Sequence, residues 1–454
     1  MHTLQRLYAQ ITYADELNDE ELSLFTDWFT EEKRLVGDIT VSVYETDVLP
    51  NLSDGEFLSE IFVPVTNFYD SRTDVAEFSA EEFEYIPVKS LDFTKKLLKV
   101  DGRYYLDAYN AGAKFRIIKI VAEKFDEDAM EFTSLAKKMK HFPGKDSVLT
   151  LAQTGVTALS RGMFDLLVEQ GGNATFFTQN IGEYLSSFDY THTSNEASFT
   201  ESANSSNICS DPKFFAVFEA IGLDIVELTG NHNLDCGIEA ANETIDLYNS
   251  NEIAIVGGGK NADEAAKPLN IVDKNNKVTM LAYNLSTGGA TYGNTPGANQ
   301  YYEENAAQEI ASAKERGDLV IVDVQYYECS AYAAEYEDTT CDYADSAAGD
   351  QVALFRHLID LGADIVVGTS AHQPQTFELY GDGVIYYGLG NLFFDQVWWP
   401  GTTRSLILEH YIFDNKLLQT RIVPTFYDES MQTTLMDEDT SQWFIQKLMS
   451  AKPN

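Results

Sequence analysis

The sequence predicts a layered α/β domain preceded by a smaller α+β accessory domain, and three observations support this prediction. First, three short apolar runs share one pattern: a Gly followed within two residues by Asp opens the run, and a His or Tyr follows eight residues after the Asp. Second, helix-like stretches precede these runs, as in domains where helices cover parallel strands. Third, the first 146 residues lack this rhythm. The three runs cover residues 222–232, 317–326 and 362–372.

The N-terminal region is predicted to be a separate unit of short strands and turns. Its clearest strands are residues 61–65 and 115–121, which are rich in β-branched and aromatic residues. A basic stretch at residues 137–145 contains Pro and Gly and indicates a boundary. We therefore predict three parts of the chain: an accessory domain at 1–146, a layered α/β domain at 147–428, and a C-terminal tail at 429–454.

Strands and helices alternate after residue 147, as expected for the α/β domain. Asp211 followed by Pro212 predicts a capped helix start, and this helix reaches Ile221. Residues 271–281 predict a hairpin, because two apolar runs flank the polar turn 274–277. Further strands are predicted at 148–153, 253–256 and 384–387, and further helices at 237–249, 306–316 and 351–361.

Polar residues that follow the carboxyl ends of parallel strands gather at one edge of a sheet. We therefore expect His232 and His372, at equivalent strand ends, to meet in one crevice at the rim of a single sheet. The segment 230–237 (GNHNLDCG) adds the Asn231 amide and the Asp235 carboxylate, a ligand mixture that borderline divalent metals accept. The alternative is that Asp235 caps the next helix and Asn231 holds a turn.

Composition excludes some classes of partner. Lys and Arg total 31 against 72 Asp and Glu, a net charge of −41, which disfavours nucleic acids and anionic membrane surfaces. No apolar stretch is long enough to cross a bilayer, and residues 1–13 lack the apolar core of a signal peptide. The four cysteines contain no C-x-x-C pair, which disfavours a structural zinc site. Cys329 and Cys341 could form a disulfide in an oxidising compartment.

Five segments together resemble the CapA-type bacterial capsule-synthesis proteins, which are linked to poly-gamma-glutamate. The resemblance implies a calcineurin-like metallophosphoesterase fold and a role in making, exporting or attaching an anionic cell-surface polymer. It also implies a location outside the cytoplasm or in the cell envelope, with the polymer, its precursor and capsule-assembly membrane proteins as partners. The five segments are residues 154–161, 194–196, 230–237, 362–375 and 387–396.

Three departures from the family pattern affect the expected chemistry. Val156 stands where metal-binding members have Asp, residues 325–328 (QYYE) replace a His-containing segment, and Ser370 replaces the first of two histidines. A two-metal phosphoesterase needs such ligands to hold both ions, so a dinuclear phosphatase is disfavoured. The matching polar residues that remain are Glu196, Asn231, His232, Asp235, Glu328 and His372.

Two functions stay open. The first is a mononuclear or metal-free hydrolase or transferase, and the second is a catalytically silent scaffold that binds a polymer or sugar. One divalent ion (Mn, Zn or Fe) or no metal fits the first. Because the chain is strongly acidic, direct capture of a polyanion requires bridging cations. The expected catalytic residues are His232, His372, Glu196 and Glu328, and the expected metal ligands are Asn231, His232, Asp235 and His372.

Overall fold

The computed structural model forms two compact units, residues 1–91 with 95–145 and residues 92–94 with 146–454. Within the residues described, none of the helices combines the length and the apolar character that a membrane crossing requires. The structure describes residues 11–13, 39–46, 56–70, 74–75, 84–100, 105–108, 113–122, 146–285, 288–326 and 351–451.

The N-terminal unit is β-rich. Its strands are β1 (Ile11–Tyr13), β2 (Ile39–Thr46), β3 (Glu56–Asn67), β4 (Asp74–Val75), β5 (Glu84–Pro87), β6 (Lys95–Leu97), β7 (Lys99–Val100) and β8 (Lys114–Ala122), with a short helix α1 (Tyr105–Ala108). The main sheet has the order β1-β2-β8-β3-β5, β6 pairs with β3, and β4 pairs with β7. Ile61, Val63 and Val65 are buried, because alternate residues of a strand point to one face. The two strands predicted in this region are confirmed.

The second unit contains the remaining elements. Its strands are β9 (Leu149–Thr157), β10 (Tyr190–Asn195), β11 (Ile225–Glu227), β12 (Ala254–Val256), β13 (Gly258–Gly259), β14 (Leu269–Asp273), β15 (Asn276–Asn284), β16 (Gly297–Ala298), β17 (Leu319–Gln325), β18 (Ile365–Thr369), β19 (Phe377–Tyr380), β20 (Gly383–Tyr386), β21 (Asn391–Phe393), β22 (Arg404–Phe413), β23 (Lys416–Phe426) and β24 (Thr434–Leu435). Its helices are α2 (Gly162–Glu169), α3 (Gly182–Leu185), α4 (Phe215–Ala220), α5 (Gly237–Ser250), α6 (Ala262–Ala265), α7 (Glu303–Glu315), α8 (Gln351–Asp360) and α9 (Glu438–Ser450).

Two sheets form the layers of this unit. The first has the order β12-β11-β10-β9-β22-β23-β24 with β21 beside β9, and the second has the order β14-β15-β17-β18-β20-β19. The layered α/β prediction is therefore confirmed. The expectation of a single sheet was wrong, because β11 belongs to the first sheet and β17 and β18 to the second. Local pattern predicts a strand, whereas the sheet that it joins depends on pairing between distant segments.

Strand β17 shows how the layers pack. Val320, Val322 and Val324 belong to an apolar cluster that includes residues of α7 and α8. Asp323 points the other way, and its Oδ1 accepts a hydrogen bond from Gln153 Nε2 of the first sheet at 2.5 Å. Alternate residues of one strand therefore face helices on one side and the other sheet on the other. The layer between the sheets is partly polar, which places titratable groups in the interior.

The predicted helices mostly agree with the structure. Helices α5, α7 and α8 fall within two or three residues of their predicted bounds. The Asp211 side chain accepts a hydrogen bond from Lys213 N, as an N-cap does, although Pro212–Phe214 is a 3₁₀ turn before α4. The segment predicted as a C-terminal tail contributes β24, which pairs with β23, and α9, which buries Phe444 and Leu448.

Candidate functional site

Residues at the ends of strands from both sheets meet through one amide. Gln325, the last residue of β17, donates from Nε2 to Glu196 Oε1 and to Asn231 Oδ1, both at 3.1 Å. Glu196 follows β10 and Asn231 lies in the loop after β11. Thr369, at the end of β18, donates from Oγ1 to Gln325 Oε1 at 3.2 Å, which fixes the orientation of the amide. The strand ends of the two sheets therefore form one polar centre.

His372 is buried beside this centre and is held in one orientation. Its Nδ1 lies 2.8 Å from Asn391 Oδ1, while Asn391 Nδ2 donates to Thr402 O at 3.0 Å. Because Asn391 Oδ1 can only accept, His372 Nδ1 carries a proton. His372 Nε2 lies 4.0 Å from Glu196 Oε2, an oxygen that has no hydrogen-bond partner. We call the following residues the strand-exit cluster: Glu196, Asn231, Gln325 and His372.

Gly230 allows the loop after β11 to reach Glu196. A Cβ atom at position 230 would lie 2.9 Å from both Glu196 Cα and Glu196 Cγ, which is closer than real Cβ contacts. Any larger residue would push the Asn231 amide away from Gln325. The glycine of the Gly-Asn-His segment is therefore required for the close approach that builds the cluster.

His232 occupies a different environment from His372. Its side chain is 27% exposed, and its Nδ1 lies 2.7 Å from Asp235 Oδ2, whose side chain is 43% exposed. His232 follows Asn231 directly, so this pair lies one residue away from the strand-exit cluster. Of the predicted site residues, Glu196, Asn231 and His372 belong to the cluster, and His232 and Asp235 form a separate pair. Glu328 lies outside the described residues.

A disulfide holds the His232 loop. Cys209 and Cys236 are bonded, with their Cα atoms 5.9 Å apart, and Cys236 stands between Asp235 and helix α5. Ser198 Oγ also donates to Asn233 O at 2.7 Å, so the loop is tied to the segment after β10 at two points. No sequence motif signalled this pairing. The disulfide predicted between Cys329 and Cys341 lies outside the described residues.

The donor set of the cluster does not fit a pair of metal ions. Within the described part of the chain, no group of three or more His, Cys, Asp or Glu side chains is arranged to hold a metal. The NH₂ group of Gln325 directs its hydrogens at Glu196 Oε1 and Asn231 Oδ1, the two oxygens that a cation would attract. Val156, buried at the position of the missing carboxylate, offers no ligand atom.

A buried polar chain lies between the sheets. Gln153 Oε1 is 3.0 Å from His410 Nε2, and Gln153 Nε2 donates to Asp323. Asp323 Oδ2 lies 3.4 Å from His192 Nε2, yet neither atom makes a hydrogen bond. All four side chains are fully buried. The interior therefore holds ionisable groups whose charges water cannot screen.

Burial shifts the pKa values of two interior groups, Glu227 at the end of β11 and His410 of the buried polar chain. Burial, and then the charges of Asp323 and Glu196, raise the pKa of Glu227 to about 8. Burial, and then His192, lower the pKa of His410 to about 3. The Glu227 carboxyl group is therefore mostly protonated at neutral pH, and the His410 imidazole is neutral. These states reduce the net charge beneath the strand-exit cluster.

Sequence comparison places the chain among known proteins. The family described as "Bacterial capsule synthesis protein PGA_cap" matches residues 150–396, which is more than half of the chain. The chain belongs to this family. Capsule biosynthesis protein CapA of Bacillus anthracis is 24% identical over 353 residues, covering 74% of this chain and 79% of that protein. PGA biosynthesis protein CapA of Bacillus subtilis (strain 168) is 24% identical over 319 residues, covering 68% and 80%.

Solved structures show only distant likeness. A putative 5'-nucleotidase from Staphylococcus aureus, in complex with alpha-ketoglutarate, has 12% identity and a TM-score of 0.35, covering 66% of this chain and 58% of its own. NAD nucleotidase of Haemophilus influenzae has 11% identity and a TM-score of 0.34, covering 67% and 63%. These values support no conclusion about the site.

The strand-exit cluster includes groups that the sequence reasoning missed. Gln325 was noted only as a departure from the family, yet its amide joins the two sheets. Asn391 lies in the matched segment 387–396, but the pattern did not indicate that it orients His372. Gln325 is the last residue of β17, and this carboxyl-end position, where polar residues gather, could have identified it. Asn391 begins β21 and carried no such signal.

Proposed function

We propose that this chain takes part in the synthesis of an anionic cell-surface polymer of the poly-gamma-glutamate kind, as a hydrolase or transferase. The family assignment supports the polymer, because relatives in two Bacillus species are named for capsule or PGA biosynthesis. The observation that carries the chemistry is the buried pair of Glu196 Oε2 and His372 Nε2, which face each other across 4.0 Å. The polymer or its precursor is the substrate of this proposal.

The proposed chemistry is general acid–base catalysis by this pair. Asn391 Oδ1 holds the Nδ1 side of the His372 ring, so Nε2 is turned towards Glu196 Oε2. An imidazole nitrogen and a carboxyl oxygen that face each other can exchange protons with a water or an amine placed between them. In amide hydrolysis, the pair would take a proton from the attacking water and return one to the leaving amine. A single Mn, Zn or Fe ion held by Asn231, His232, Asp235 and His372 stays a prediction from the sequence.

Turnover by matched variants tests this proposal. Wild type, Glu196→Gln and His372→Gln would be incubated with poly-gamma-glutamate, with and without an amine acceptor, and products followed by mass spectrometry. We expect each variant to lose about 10²–10⁴-fold in turnover, as for removal of a general base. Wild-type turnover that persists in EDTA would reject the single-ion prediction, and turnover that is lost in EDTA would keep it. Turnover by the Glu196→Gln variant that equals wild-type turnover would contradict the assignment of the pair.

A catalytically silent polymer-binding scaffold is the second candidate. The Gln325 amide favours this candidate. Its NH₂ group donates to Glu196 Oε1 and Asn231 Oδ1, so these oxygens are bonded to a neutral donor instead of a metal ion or a substrate. The scaffold predicts that oligo-γ-glutamate binds wild type in calorimetry while no product forms over days. Turnover that scales with enzyme concentration would reject the scaffold and keep the hydrolase or transferase.

We further propose that the chain works outside the cytoplasm, together with capsule-assembly membrane proteins. The Cys209–Cys236 disulfide supports this location, because reducing systems keep cytosolic thiols reduced. Cells would be treated with an alkylating reagent before lysis, fractionated, and the two cysteines examined by mass spectrometry. Oxidised cysteines in the envelope or secreted fraction are expected, and alkylated cysteines in the cytosolic fraction would contradict the proposal.

A further inference from the structure

Arg161 has a strained backbone at the edge of the site. Its φ is 52° and its ψ is −114°, a combination that only glycine adopts without cost, and it stands directly before helix α2. Residues held in such conformations persist only where the surroundings impose them, and they concentrate at functional sites. Contacts of the Arg161 side chain and of its neighbours must therefore stabilise this conformation.

Asp395 holds this turn. Asp395 Oδ1 accepts a hydrogen bond from Arg161 Nη2 at 2.5 Å, and Asp395 Oδ2 accepts one from Gly162 N at 3.0 Å. A Cβ atom at position 162 would lie 3.2 Å from Asp395 Cβ, so the neighbouring glycine permits this approach. One carboxylate thus binds both the side chain of Arg161 and the next amide, and it keeps the guanidinium in place.

An aromatic ring connects Arg161 to His372. The guanidinium carbon of Arg161 lies 4.6 Å from the centre of the Phe394 ring, within the range of a cation–π contact. The His372 ring centre lies 5.3 Å from the same ring centre. Phe394 therefore contacts both groups, so one aromatic ring links the positive charge of Arg161 to the buried imidazole.

The guanidinium keeps unused donors. Its Nη2 donates to Asp395, and its Nε is buried without a hydrogen-bond acceptor, although 27% of the side chain is exposed. A guanidinium carries five N–H donors, and a buried donor that lacks an acceptor is costly. In a chain with a net charge of −41, a cation that is held in place by one carboxylate and still has open donors is unusual.

We propose that Arg161 forms an anion subsite that binds a carboxylate group of the ligand next to His372. A planar carboxylate matches the flat donor edge of a guanidinium, and its oxygens can accept hydrogen bonds from the exposed N–H groups that Asp395 leaves open. A local positive charge at this subsite would offset the repulsion between the acidic chain and a polyanion. An anion with planar or tetrahedral oxygens follows from the guanidinium itself, while the choice of a carboxylate, and of the polymer's repeated side-chain carboxylates, rests on the proposed function.

Calorimetry with glutarate, a small dicarboxylate, tests the subsite directly on the full chain. Arg161→Gly removes the side chain at a backbone conformation that glycine tolerates. Arg161→Lys keeps the positive charge but loses the planar set of N–H donors of the guanidinium. Glu252→Gly is the matched control, because Glu252 is exposed and also has a positive φ of 60°. We expect Glu252→Gly to bind glutarate like wild type and Arg161→Gly to bind at least about tenfold more weakly, as for loss of a charged hydrogen bond.

Chemical rescue separates recognition from a structural role. Millimolar guanidinium chloride should restore glutarate binding to Arg161→Gly, which a fold defect would not allow. If Arg161→Gly does not fold, glutarate binding by Arg161→Lys is compared with wild type instead, and we expect it to be weaker. Equal glutarate affinity in wild type and the Arg161 variants, absence of glutarate binding to wild type, or an Arg161-dependent preference for inorganic phosphate would overturn the subsite.

The same titrations with oligo-γ-glutamate distinguish the two proposals. Glutarate binding that depends on Arg161, without binding of oligo-γ-glutamate, would reject the polymer and keep the subsite. Binding of oligo-γ-glutamate that is unchanged in Arg161→Gly would reject the subsite and keep the polymer.

Discussion

The two histidine-bearing strand ends share a sequence pattern but differ in structure. After β11, His232 is partly exposed, pairs with Asp235, and lies on a loop held by a disulfide. After β18, His372 is buried and is oriented by Asn391. The strands belong to different sheets, so the repeated pattern produced two complementary positions rather than two copies of one. We infer that the His372 end supplies the oriented chemical group and the His232 end forms its partly exposed neighbour.

Removal of the disulfide should have the largest effect on stability. The cysteines are 27 residues apart, and the chain-entropy estimate for such a loop is about 3.5 kcal/mol of unfolding free energy. We expect the double variant Cys209→Ser with Cys236→Ser to lose about that amount in urea unfolding. A loss below about 1 kcal/mol would mean that Ser198 and packing alone hold the His232 loop.

Removal of the buried imidazole should come next. His372→Ala leaves Asn391 Oδ1 without its donor and opens a cavity, so we expect a loss of about 3 kcal/mol in unfolding free energy. Thermal and urea unfolding would measure it. Unchanged stability in this variant would show that the Asn391 contact does not orient the ring.

Glu227 predicts a pH dependence of stability. Its folded pKa of about 8 lies above its ordinary value of 4.5, so the folded state binds the proton more tightly. This contribution is complete below pH 4.5 and is lost as pH rises through 8. Between pH 6 and pH 8, wild type should lose about 2 kcal/mol relative to Glu227→Gln. Glu252→Gln, at an exposed position, serves as control, and its stability should follow wild type over this pH range. Parallel curves of unfolding free energy against pH for wild type and Glu227→Gln would contradict the raised pKa of Glu227.

The partly exposed imidazole should have the smallest effect. His232→Ala removes a partly solvated pair with Asp235, and we expect a change below about 0.5 kcal/mol in unfolding free energy. The comparison with His372→Ala in the same urea experiment sharpens the difference between the two strand ends. Equal losses in both variants would remove the distinction.

Local patterns predicted the elements better than their assembly. Local periodicity and turn residues were enough to predict three kinds of element. These are the apolar runs that open with Gly and Asp, the 237–249 helix and the 271–281 hairpin. The single sheet was wrong because strand pairing joins segments far apart in the chain. The Cys209–Cys236 bond and the Arg161–Asp395 contact, with residues 234 positions apart, were missed for the same reason. The family pattern indicated Glu196 and His372, but not the amides that hold them.

Binding of oligo-γ-glutamate by two buried-histidine variants tests the central claim most directly. His372→Gln changes the strand-exit cluster, whereas His410→Gln changes a histidine that is equally buried and whose Nδ1 is also hydrogen-bonded, to Thr420. We predict that His410→Gln keeps wild-type affinity at a temperature where both variants are folded, while His372→Gln binds at least about tenfold more weakly. Equal affinity in both variants would contradict a ligand site at the strand-exit cluster.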